Sequence, residues 1–339
     1  MKICLFVLLG LLSVSVCEGA EKTSSQGESV YQKTVGELTV KILPNSGCNV
    51  FSIQYKGQEL LKTPADLKEV AGFMYGTPIL YPSPNRIRNA EFEYKGKKYS
   101  FPANHENNFI HGLVHSSQWK VTKEWAESQR AGLVCELEFA PGSQRYSLFP
   151  FRHSIQVAIE VSQDNVTWKY TVDNQKGKES VPFGFALHPW ILYQGKREST
   201  FLTVPATHWM ESFNQLPTGK LIPVTQTKYD ATSPISLKEF VIDDVYFGMS
   251  AEKPASVDFR DANLKLSFGA TEDFTHLVVY TPKDEPWFCI ENQTSATDAH
   301  NLFNKGIERA SHLQVVKPGE TKSGSVSLGI QPYPPTKTI

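Results

Sequence analysis

The stretch HSIQVAIEVSQDNVTWKYTV, residues 153–172, decides the fold of this chain. Apolar and polar side chains alternate along residues 155–161 and again along 166–172, and the polar residues 162–165 separate the two runs. Such alternation places the apolar side chains on one face of an extended strand, and a short polar connection is typical of a hairpin loop. The stretch therefore predicts two neighbouring antiparallel strands with one buried face.

The same pattern recurs on both sides of this hairpin. Other short β-rich runs, bounded by turn residues, are residues 38–43, 91–94, 264–268 and 276–280. Helical spacing is confined to short candidates at 65–71 and 299–303, and no fixed-period repeat or Pro/Gly/Ser-rich linker interrupts residues 36–333. The sequence thus predicts an all-β protein, a large antiparallel β-sandwich, with residues 36–333 as a single domain.

The two ends of the chain differ from this body. Residues 1–20 combine a basic start, an apolar run and small residues, which is typical of a signal peptide and predicts export, to the periplasm or secreted. Cys17 admits a second interpretation, a lipid anchor on that cysteine, which the preceding Val16 disfavours. Residues 21–35, rich in Ser, Lys, Gln and Glu, are predicted to be a flexible tether, and residues 334–339 a frayed tail.

Composition and motifs exclude several classes of protein. Among 339 residues, 34 Lys and Arg stand against 35 Asp and Glu without a long run of one sign, so the chain lacks the basic footprint of a nucleic-acid-binding protein. The G-x-S-x-G, Rossmann and Walker patterns are absent, which argues against the commonest hydrolases and against dinucleotide and nucleotide sites. Cys48, Cys135 and Cys289, which remain after signal removal, form no disulfide framework; one bridge or buried free thiols are both compatible with the sequence.

Two clusters present a basic side chain in a fixed direction. In residues 81–88, two prolines stiffen the backbone ahead of Asn85 and Arg86, although a surface arginine after a turn fits the same residues. His188 ends the apolar run of residues 181–187, and Pro189 restricts the backbone before it to extended geometry. Desolvation there would lower the pKa of His188, as it would for a core histidine with satisfied hydrogen bonds.

Two further clusters carry polar groups among apolar neighbours. His111 lies between Ile110 and Gly112, and nearby His105 and His115 invite a metal interpretation, which the lack of metal-ligand spacing and of a helix disfavours. Adjacent Asp243 and Asp244 in an apolar strand must point to opposite faces, so at most one can enter a pocket and the other should face water.

The last cluster is WFCIENQTSATDAHN, residues 287–301. Its apolar start delivers Glu291 to the edge of a polar loop, where the carboxylate is either a surface charge or a catalytic base. Trp190 and Trp287 supply flat apolar faces that suit either a sugar ring or the core.

Taken in order, these clusters resemble the aldose 1-epimerase (galactose mutarotase) family. The matching motifs are Asn85-Arg86-Ile87, Asn107 with Ile110-His111-Gly112, His188-Pro189-Trp190, Asp243-Asp244-Val245-Tyr246, and Glu291-x-Gln293 with Asp298-Ala299-x-Asn301. The resemblance covers residues 36–331. Trp190 stands where the family usually has Tyr, and Leu113 replaces the second Gly of the commoner His-Gly-Gly, so the pocket wall and the sugar preference are expected to differ.

The resemblance implies a galactose-mutarotase-like supersandwich that interconverts the α and β anomers of a free aldose without cofactor or metal. Glu291 would be the general base toward the anomeric hydroxyl, and His188 the general acid toward the ring oxygen. The substrate-binding residues would be Arg86, His111, Asp243, Asn85 and Trp190. On this interpretation Glu291 stays ionised opposite a protonated His188.

Alternatives remain at the level of sequence. The same chemistry could serve a hexose phosphate or a polysaccharide-derived sugar, or the fold could belong to a carbohydrate-binding protein without turnover. The expected partner is a small-molecule sugar, with no nucleic acid and no transmembrane span after signal removal; the oligomeric state stays open. The triplet Asn292-Gln293-Thr294 fits N-glycosylation, and a glycan there would obstruct the site, so either the triplet is unused or the site is elsewhere.

Overall fold

A computed structural model describes residues 21–25 and 27–333 of the chain. The predicted signal peptide, including Cys17, and the predicted tail at 334–339 lie outside these described residues. No helix within the described ranges is long and apolar enough to cross a membrane.

The described residues form 28 strands and a few short helices. The strands are β1 Glu21–Ser25, β2 Glu28–Val35, β3 Leu38–Leu43, β4 Asn49–Tyr55, β5 Gln58–Glu59, β6 Ile79–Leu80, β7 Arg86–Ile87, β8 Glu91–Tyr94, β9 Lys97–Ser100, β10 Phe109–Ile110, β11 Lys120–Ala126, β12 Arg130–Phe139, β13 His153–Ser162, β14 Asn165–Asp173, β15 Val181–Phe183, β16 Ala186–Leu187, β17 Trp190–Leu192, β18 Thr200–Thr203, β19 His208–Phe213, β20 Leu216–Pro223, β21 Ile235–Ser236, β22 Asp243–Phe247, β23 Ala255–Phe259, β24 Leu264–Ala270, β25 His276–Tyr280, β26 Trp287–Gln293, β27 Gln314–Val316 and β28 Thr321–Pro332. The helices are α1 Gln144–Leu148, α2 Ala299–Asn304 and α3 Glu308–Ser311, with 3₁₀ turns at Leu67–Gly72, Arg88–Ala90, Arg197–Ser199 and Val224–Gln226.

Three larger antiparallel sheets organise this part of the chain. The N-terminal sheet has the order β1-β2-β3-β4-β5, and a nine-stranded sheet has the order β11-β12-β13-β14-β28-β24-β23-β18-β21. An eight-stranded sheet runs β20-β19-β22-β25-β26-β16-β6, with β17 also paired to β26. The prediction of an all-β, antiparallel architecture is confirmed.

The predicted hairpin at residues 153–172 forms β13 and β14 of the nine-stranded sheet. Ser162 pairs with Asn165, so the turn between the strands is only Gln163 and Asp164. Along β13, buried and half-buried side chains alternate throughout, and the buried apolar ones belong to the main core. The alternation of apolar and polar residues in the sequence therefore marks the face of the strand that packs in the core, as expected.

The prediction of a flexible tether at residues 21–35 is wrong, because β1 and β2 occupy this segment. β2 joins β3 through a tight turn in which Val35 pairs with Leu38. Val30 and Val35 are buried, and Lys33 is fully buried with its ammonium paired to Glu124. The strand could not be recognised from its polar composition, because one of its inward side chains is a lysine that is buried through an ion pair.

β26 separates the core from the site, because all seven of its side chains are buried and they alternate between two faces. Phe288 and Ile290 belong to the main core between the sheets. The opposite face carries Trp287, Cys289, Glu291 and Gln293, of which Trp287 and Cys289 form a small separate cluster with Trp190.

The cysteines resolve the alternative that the sequence left open. Cys48, Cys135 and Cys289 are all buried and free. They act in the described chain as small apolar side chains.

Candidate functional site

A cleft of about 400 Å³ opens on the face of the eight-stranded sheet that carries Glu291. Its lining includes all seven residues predicted for the site: Asn85, Arg86, His111, His188, Trp190, Asp243 and Glu291. Sequence reasoning missed Phe73, Met74 and Gln215, which also line it. The five ordered clusters therefore converge in space on one cavity of a size suited to a small polar ligand.

Glu291 lies in the middle of the eight-stranded sheet, opposite Val278 of β25. The side chain is 3% exposed. Gln293, two residues along the same strand face, donates from Nε2 to Glu291 Oε2 at 3.0 Å. One carboxylate oxygen is thus held by the protein, and the other, Oε1, faces His188.

His188 follows β16, and its backbone N–H donates to the carbonyl of Pro78 at 3.0 Å. Its Nε2 lies 3.2 Å from Glu291 Oε1. The ring stacks on Trp190 at a centroid distance of 4.8 Å and meets the edge of Phe73 at 4.8 Å. Among the described residues, the buried Nδ1 has no hydrogen-bond partner, so the aromatic neighbours and the contact of Nε2 with Glu291 hold this ring in place.

Arg86 is positioned by the residue before it. Asn85 has a left-handed φ of 52°, and its Oδ1 accepts hydrogen bonds from the backbone N–H of Arg86 at 2.8 Å and from Nη1 at 3.0 Å. The Asn85 carbonyl also accepts from the N–H of His111 at 3.0 Å. Asparagine is one of the few side chains that tolerate this backbone, and here it orients both the guanidinium and the His111 loop.

His111 is held in a left-handed conformation, with φ of 68°, and Gly112 follows with φ of 73°. A Cβ atom at position 112 would lie 2.3 Å from the carbonyl oxygen of Tyr81, so only glycine fits there. The His111 ring stacks almost parallel on Phe73, with centroids 4.2 Å apart. Burial lowers the pKa of His111 well below its ordinary value, and the neighbouring His188 adds to this shift, so the ring is neutral and offers one donor and one acceptor.

Asp243 and Asp244 divide as the strand predicts, but neither simply faces water. Asp243 lines the cleft and accepts a hydrogen bond from the amide of Gln215, at the tip of the β19–β20 hairpin. Asp244 is partly buried and accepts from Trp209 Nε1 at 2.8 Å. The expectation that the second carboxylate faces water is only partly met, because Asp244 is half-buried and the half-buried indole of Trp209 donates to it.

Desolvation dominates the electrostatics of the Glu291–His188 pair. Burial raises the pKa of Glu291 well above its ordinary value, and the nearby Asp243 raises it further. Burial lowers the pKa of His188 to about 3. Both shifts favour the neutral forms, whereas the sequence led us to expect a carboxylate opposite an imidazolium. Because the two groups are in contact, the pair avoids an isolated buried charge when the two groups share one proton.

The geometry bears on two alternatives raised by the sequence. Asn292 is 3% exposed and points away from the cleft, with its Nδ2 3.4 Å from the carbonyl oxygen of Phe268, so a glycan cannot attach to it in the folded chain. Within residues 21–25 and 27–333, no three side chains of His, Cys, Asp or Glu are grouped to hold a metal ion.

Comparisons with known proteins agree with the resemblance seen in the sequence. A family model described as aldose 1-epimerase matches residues 31–329. The uncharacterized protein YihR of Escherichia coli is 27% identical over 245 residues, which are 68% of this chain and 72% of YihR.

Among solved structures, a galactose mutarotase-like protein of Clostridium acetobutylicum matches with a TM-score of 0.84 and 21% identity, covering 92% of this chain and 98% of that one. Galactose 1-epimerase of Lactobacillus acidophilus matches with a TM-score of 0.73 and 14% identity, covering 92% and 98%. These structures show the fold, and the predicted galactose-mutarotase-like β-sandwich is confirmed.

Proposed function

Because the chain belongs to the aldose 1-epimerase family, we propose that it interconverts the α and β anomers of a free aldose by acid–base opening and reclosure of the sugar ring. Glu291 is the proposed base and His188 the proposed acid. The observation that carries the proposal is their separation, 3.2 Å between Oε1 and Nε2.

Two groups in direct contact can serve only two substrate atoms that are themselves neighbours. In a cyclic aldose, the anomeric hydroxyl oxygen O1 and the ring oxygen O5 are both bonded to C1. The paired carboxylates of glycosidases are instead roughly 5 to 9.5 Å apart, which leaves room for the anomeric carbon or an added water. The contact between Glu291 and His188 therefore favours ring opening over cleavage of a glycosidic bond.

The proton transfers balance within the pair. The cycle starts from the charged form of the pair, in which Glu291 is a carboxylate and His188 an imidazolium. Glu291 takes the proton of the O1 hydroxyl, and His188 gives a proton to O5. The C1–O5 bond breaks, and C1 becomes an aldehyde carbon. Rotation about the C1–C2 bond presents the other face of the aldehyde to O5. Reclosure returns the O5 proton to His188 and the Glu291 proton to O1, so the protein ends as it began.

Burial contributes to this cycle in a specific way. After ring opening, Glu291 is protonated and His188 is neutral, which is the state that the desolvated cleft favours. The same burial that disfavours the charged pair thus stabilises the open-chain intermediate relative to it. Positioned proton transfer of this type contributes about 10²- to 10⁴-fold to the rate.

The remaining residues bind and orient the sugar. Arg86, His111 and Asp243 offer charged and neutral hydrogen-bonding groups to the ring hydroxyls, and Asn85 fixes the direction of Arg86. Trp190 packs against His188 and keeps its ring turned toward Glu291. Recognition through several hydroxyls fits a free sugar.

Polarimetry of freshly dissolved α-D-glucose and α-D-galactose tests the proposal. We expect the wild type to accelerate mutarotation of at least one of them, and Glu291→Gln to return the rate to near that of buffer. Glu285→Gln, which removes an exposed carboxylate just before β26, is the matched control and should keep full activity. A wild type that binds sugars yet never exceeds the buffer rate would make this a carbohydrate-binding protein instead.

A further inference from the structure

We infer that Gln293 is a positioning residue for the proposed base: its amide holds Glu291 Oε2, so that Oε1 is the oxygen that exchanges a proton with the sugar. The inference rests on the proposed function, in which Glu291 takes the proton of the anomeric hydroxyl. It assigns a part in that step to a side chain that does not itself line the cleft.

Gln293 lies on the same face of β26 as Glu291, two residues further along the strand. Its backbone pairs with Ala186 of β16 on one side and with His276 of β25 on the other, and the residue is fully buried. The pairing of strands uses backbone groups only. An apolar side chain would therefore serve the sheet at this position equally well.

The amide of Gln293 is only partly hydrogen-bonded. Its Nε2 donates to Glu291 Oε2 at 3.0 Å. Among the described residues, its buried Oε1 has no hydrogen-bond partner. A buried acceptor without a partner destabilises the fold relative to an apolar side chain of the same shape, so folding alone does not account for a glutamine here. The contact with Glu291 accounts for it.

This hydrogen bond makes the two carboxylate oxygens of Glu291 unequal. Oε2 is occupied by an N–H donor, whereas Oε1 lies 3.2 Å from His188 Nε2. An incoming proton binds the oxygen whose lone pairs are free of a fixed donor. The proton of the O1 hydroxyl is therefore taken by Oε1, next to the group that serves O5.

The same hydrogen bond opposes the effect of burial on Glu291. Burial and the nearby Asp243 raise the pKa of this carboxyl, whereas the hydrogen bond from Gln293 and the guanidinium of Arg86 lower it. A donor to a carboxylate stabilises the ionised form. Gln293 therefore helps to keep a base available in a desolvated site.

The titratable and charged groups around Glu291 and Gln293 remain in place when Gln293 is replaced. They are Cys289 of β26, His276 and Tyr280 of β25, Arg86 of β7, Asp243 of β22, His111 after β10 and His188 after β16. Burial raises the pKa values of Cys289 and Tyr280. It lowers those of His111 and His276, so all four groups are neutral near pH 7. A changed pH profile after substitution of Gln293 therefore reports the lost amide.

Gln293→Met and Gln293→Leu test the inference, because both remove the amide and keep an apolar side chain of similar size. For the aldose that the wild type accelerates most, we expect kcat to fall about 10- to 100-fold at pH 7 with a smaller change in KM. The acid limb of kcat/KM against pH should move up by about one pH unit, since the carboxylate form is lost at a higher pH. Part of the lost rate should therefore return as the pH rises.

Gln194→Met is the matched control. Gln194 is also a buried glutamine, but its amide donates to the backbone carbonyls of Glu59 and Leu192. Gln194→Met should lose stability in urea and keep the pH profile, whereas the two Gln293 variants should keep most of their stability and lose rate. Gln293 variants that do not fold, or that fold with an unchanged pH profile, would give Gln293 a structural role and overturn the inference.

An infrared titration without sugar separates this inference from the proposed function. The band of the protonated carboxyl, assigned by its absence in Glu291→Gln, should appear at a pH about one unit higher in Gln293→Met than in the wild type. An unchanged titration would overturn the inference. No acceleration of any aldose by the wild type would contradict the proposed function, and the titration would then still decide whether Gln293 acts on Glu291.

Discussion

His153 and His188 are both buried histidines, and burial lowers the pKa of the first to about 4 and of the second to about 3. The ring of His153 has both nitrogens occupied: Nδ1 donates to the carbonyl of Phe151 at 2.7 Å, and Nε2 accepts from the hydroxyl of Tyr81 at 2.6 Å. His188 has an unpartnered Nδ1 among the described residues, and its Nε2 faces Glu291. Burial alone does not distinguish a functional histidine; incomplete hydrogen bonding beside a cleft does.

The same division holds for other histidines of the described chain. His276 is fully buried, with Nδ1 3.0 Å from the hydroxyl of Thr275 and Nε2 3.0 Å from the carbonyl of Ala310. His105 and His111 line the cleft, and the Nδ1 atom of each is buried without a partner among the described residues. Of the four described histidines with a buried, unpartnered Nδ1, His105, His111 and His188 line the cleft, where a ligand can complete the hydrogen bond, and His115 does not.

The largest expected effect is on catalysis at His188. We expect His188→Asn to lower kcat of mutarotation about 10²- to 10⁴-fold, because the proton for O5 is lost. Polarimetry gives the rate, and urea unfolding in parallel gives the free energy of unfolding. A variant that loses stability but keeps its rate would place His188 in the same structural class as His153.

Substrate binding at His111 should respond less strongly. We expect His111→Asn to raise KM up to about tenfold with a smaller change in kcat, since one neutral hydrogen bond is lost and asparagine tolerates the left-handed backbone. Initial rates over a range of sugar concentrations separate the two constants. A fall in kcat with KM unchanged would instead give His111 a part in proton transfer.

At His153 the effect should appear in stability only. We expect His153→Phe to lower the free energy of unfolding by about 1–3 kcal/mol, because the buried hydroxyl of Tyr81 loses its acceptor. The double variant with Tyr81→Phe removes both partners and should recover part of that loss. Equal losses in the single and double variants would contradict the role assigned to this hydrogen bond.

The pH dependence of stability sharpens the comparison further. A histidine whose folded pKa is lowered stabilises the fold fully above its unfolded pKa of about 6.5, and that stability is lost as the pH falls toward the folded value, about 4 for His153. The carboxyls of Asp243, Asp244 and Asp298, with raised pKa values, act in the opposite sense. They are outnumbered by the histidines outside the Glu291–His188 pair whose pKa is lowered, which are His111, His115, His153, His276 and His300. We expect the melting temperature to fall from pH 7 to pH 5.

The double variant His153→Phe, Tyr81→Phe isolates one of these contributions. Its free energy of unfolding should depend less steeply on pH than that of the wild type, by up to about 1.4 kcal/mol per pH unit between pH 6 and pH 5. Calorimetry at several pH values measures this difference. Identical slopes would show that His153 titrates alike in the folded and unfolded chain.

Much of the fold could be predicted because one physical signal, side-chain alternation, is local. The runs at 38–43, 91–94 and 276–280 coincide with β3, β8 and β25. The signal failed for residues 21–35, where polar side chains dominate the composition and the inward Lys33 is neutralised by a residue distant in sequence. A long-range ion pair leaves no trace in a local pattern.

The site could be predicted where a motif was compact and could not where a residue depends on the tertiary fold. Glu291 and His188 each end an apolar run, which marks a polar group carried to a buried place. Gln215 lies at a hairpin tip and reaches Asp243 only through the pairing of β19 with β22. A weak signal for Phe73 was present in the sequence, and sequence reasoning overlooked it: Phe73, Met74 and Tyr75 are three large, largely apolar side chains in a row in a loop between Gly72 and Gly76.

The placement of Glu291 in β26 has a consequence for how the protein fails. β26 is hydrogen-bonded along both edges, by β25 on one side and by β16 and β17 on the other. Its amides can exchange with solvent only when the sheet itself opens, so the carboxylate proposed as the base lies in a slowly exchanging part of the chain. Many enzymes carry their reactive groups on loops that unfold locally at lower temperature than the core, whereas the proposed base is here displaced only when the sheet unfolds. We therefore expect any residual mutarotase activity after heating to be proportional to the fraction of molecules that are still folded.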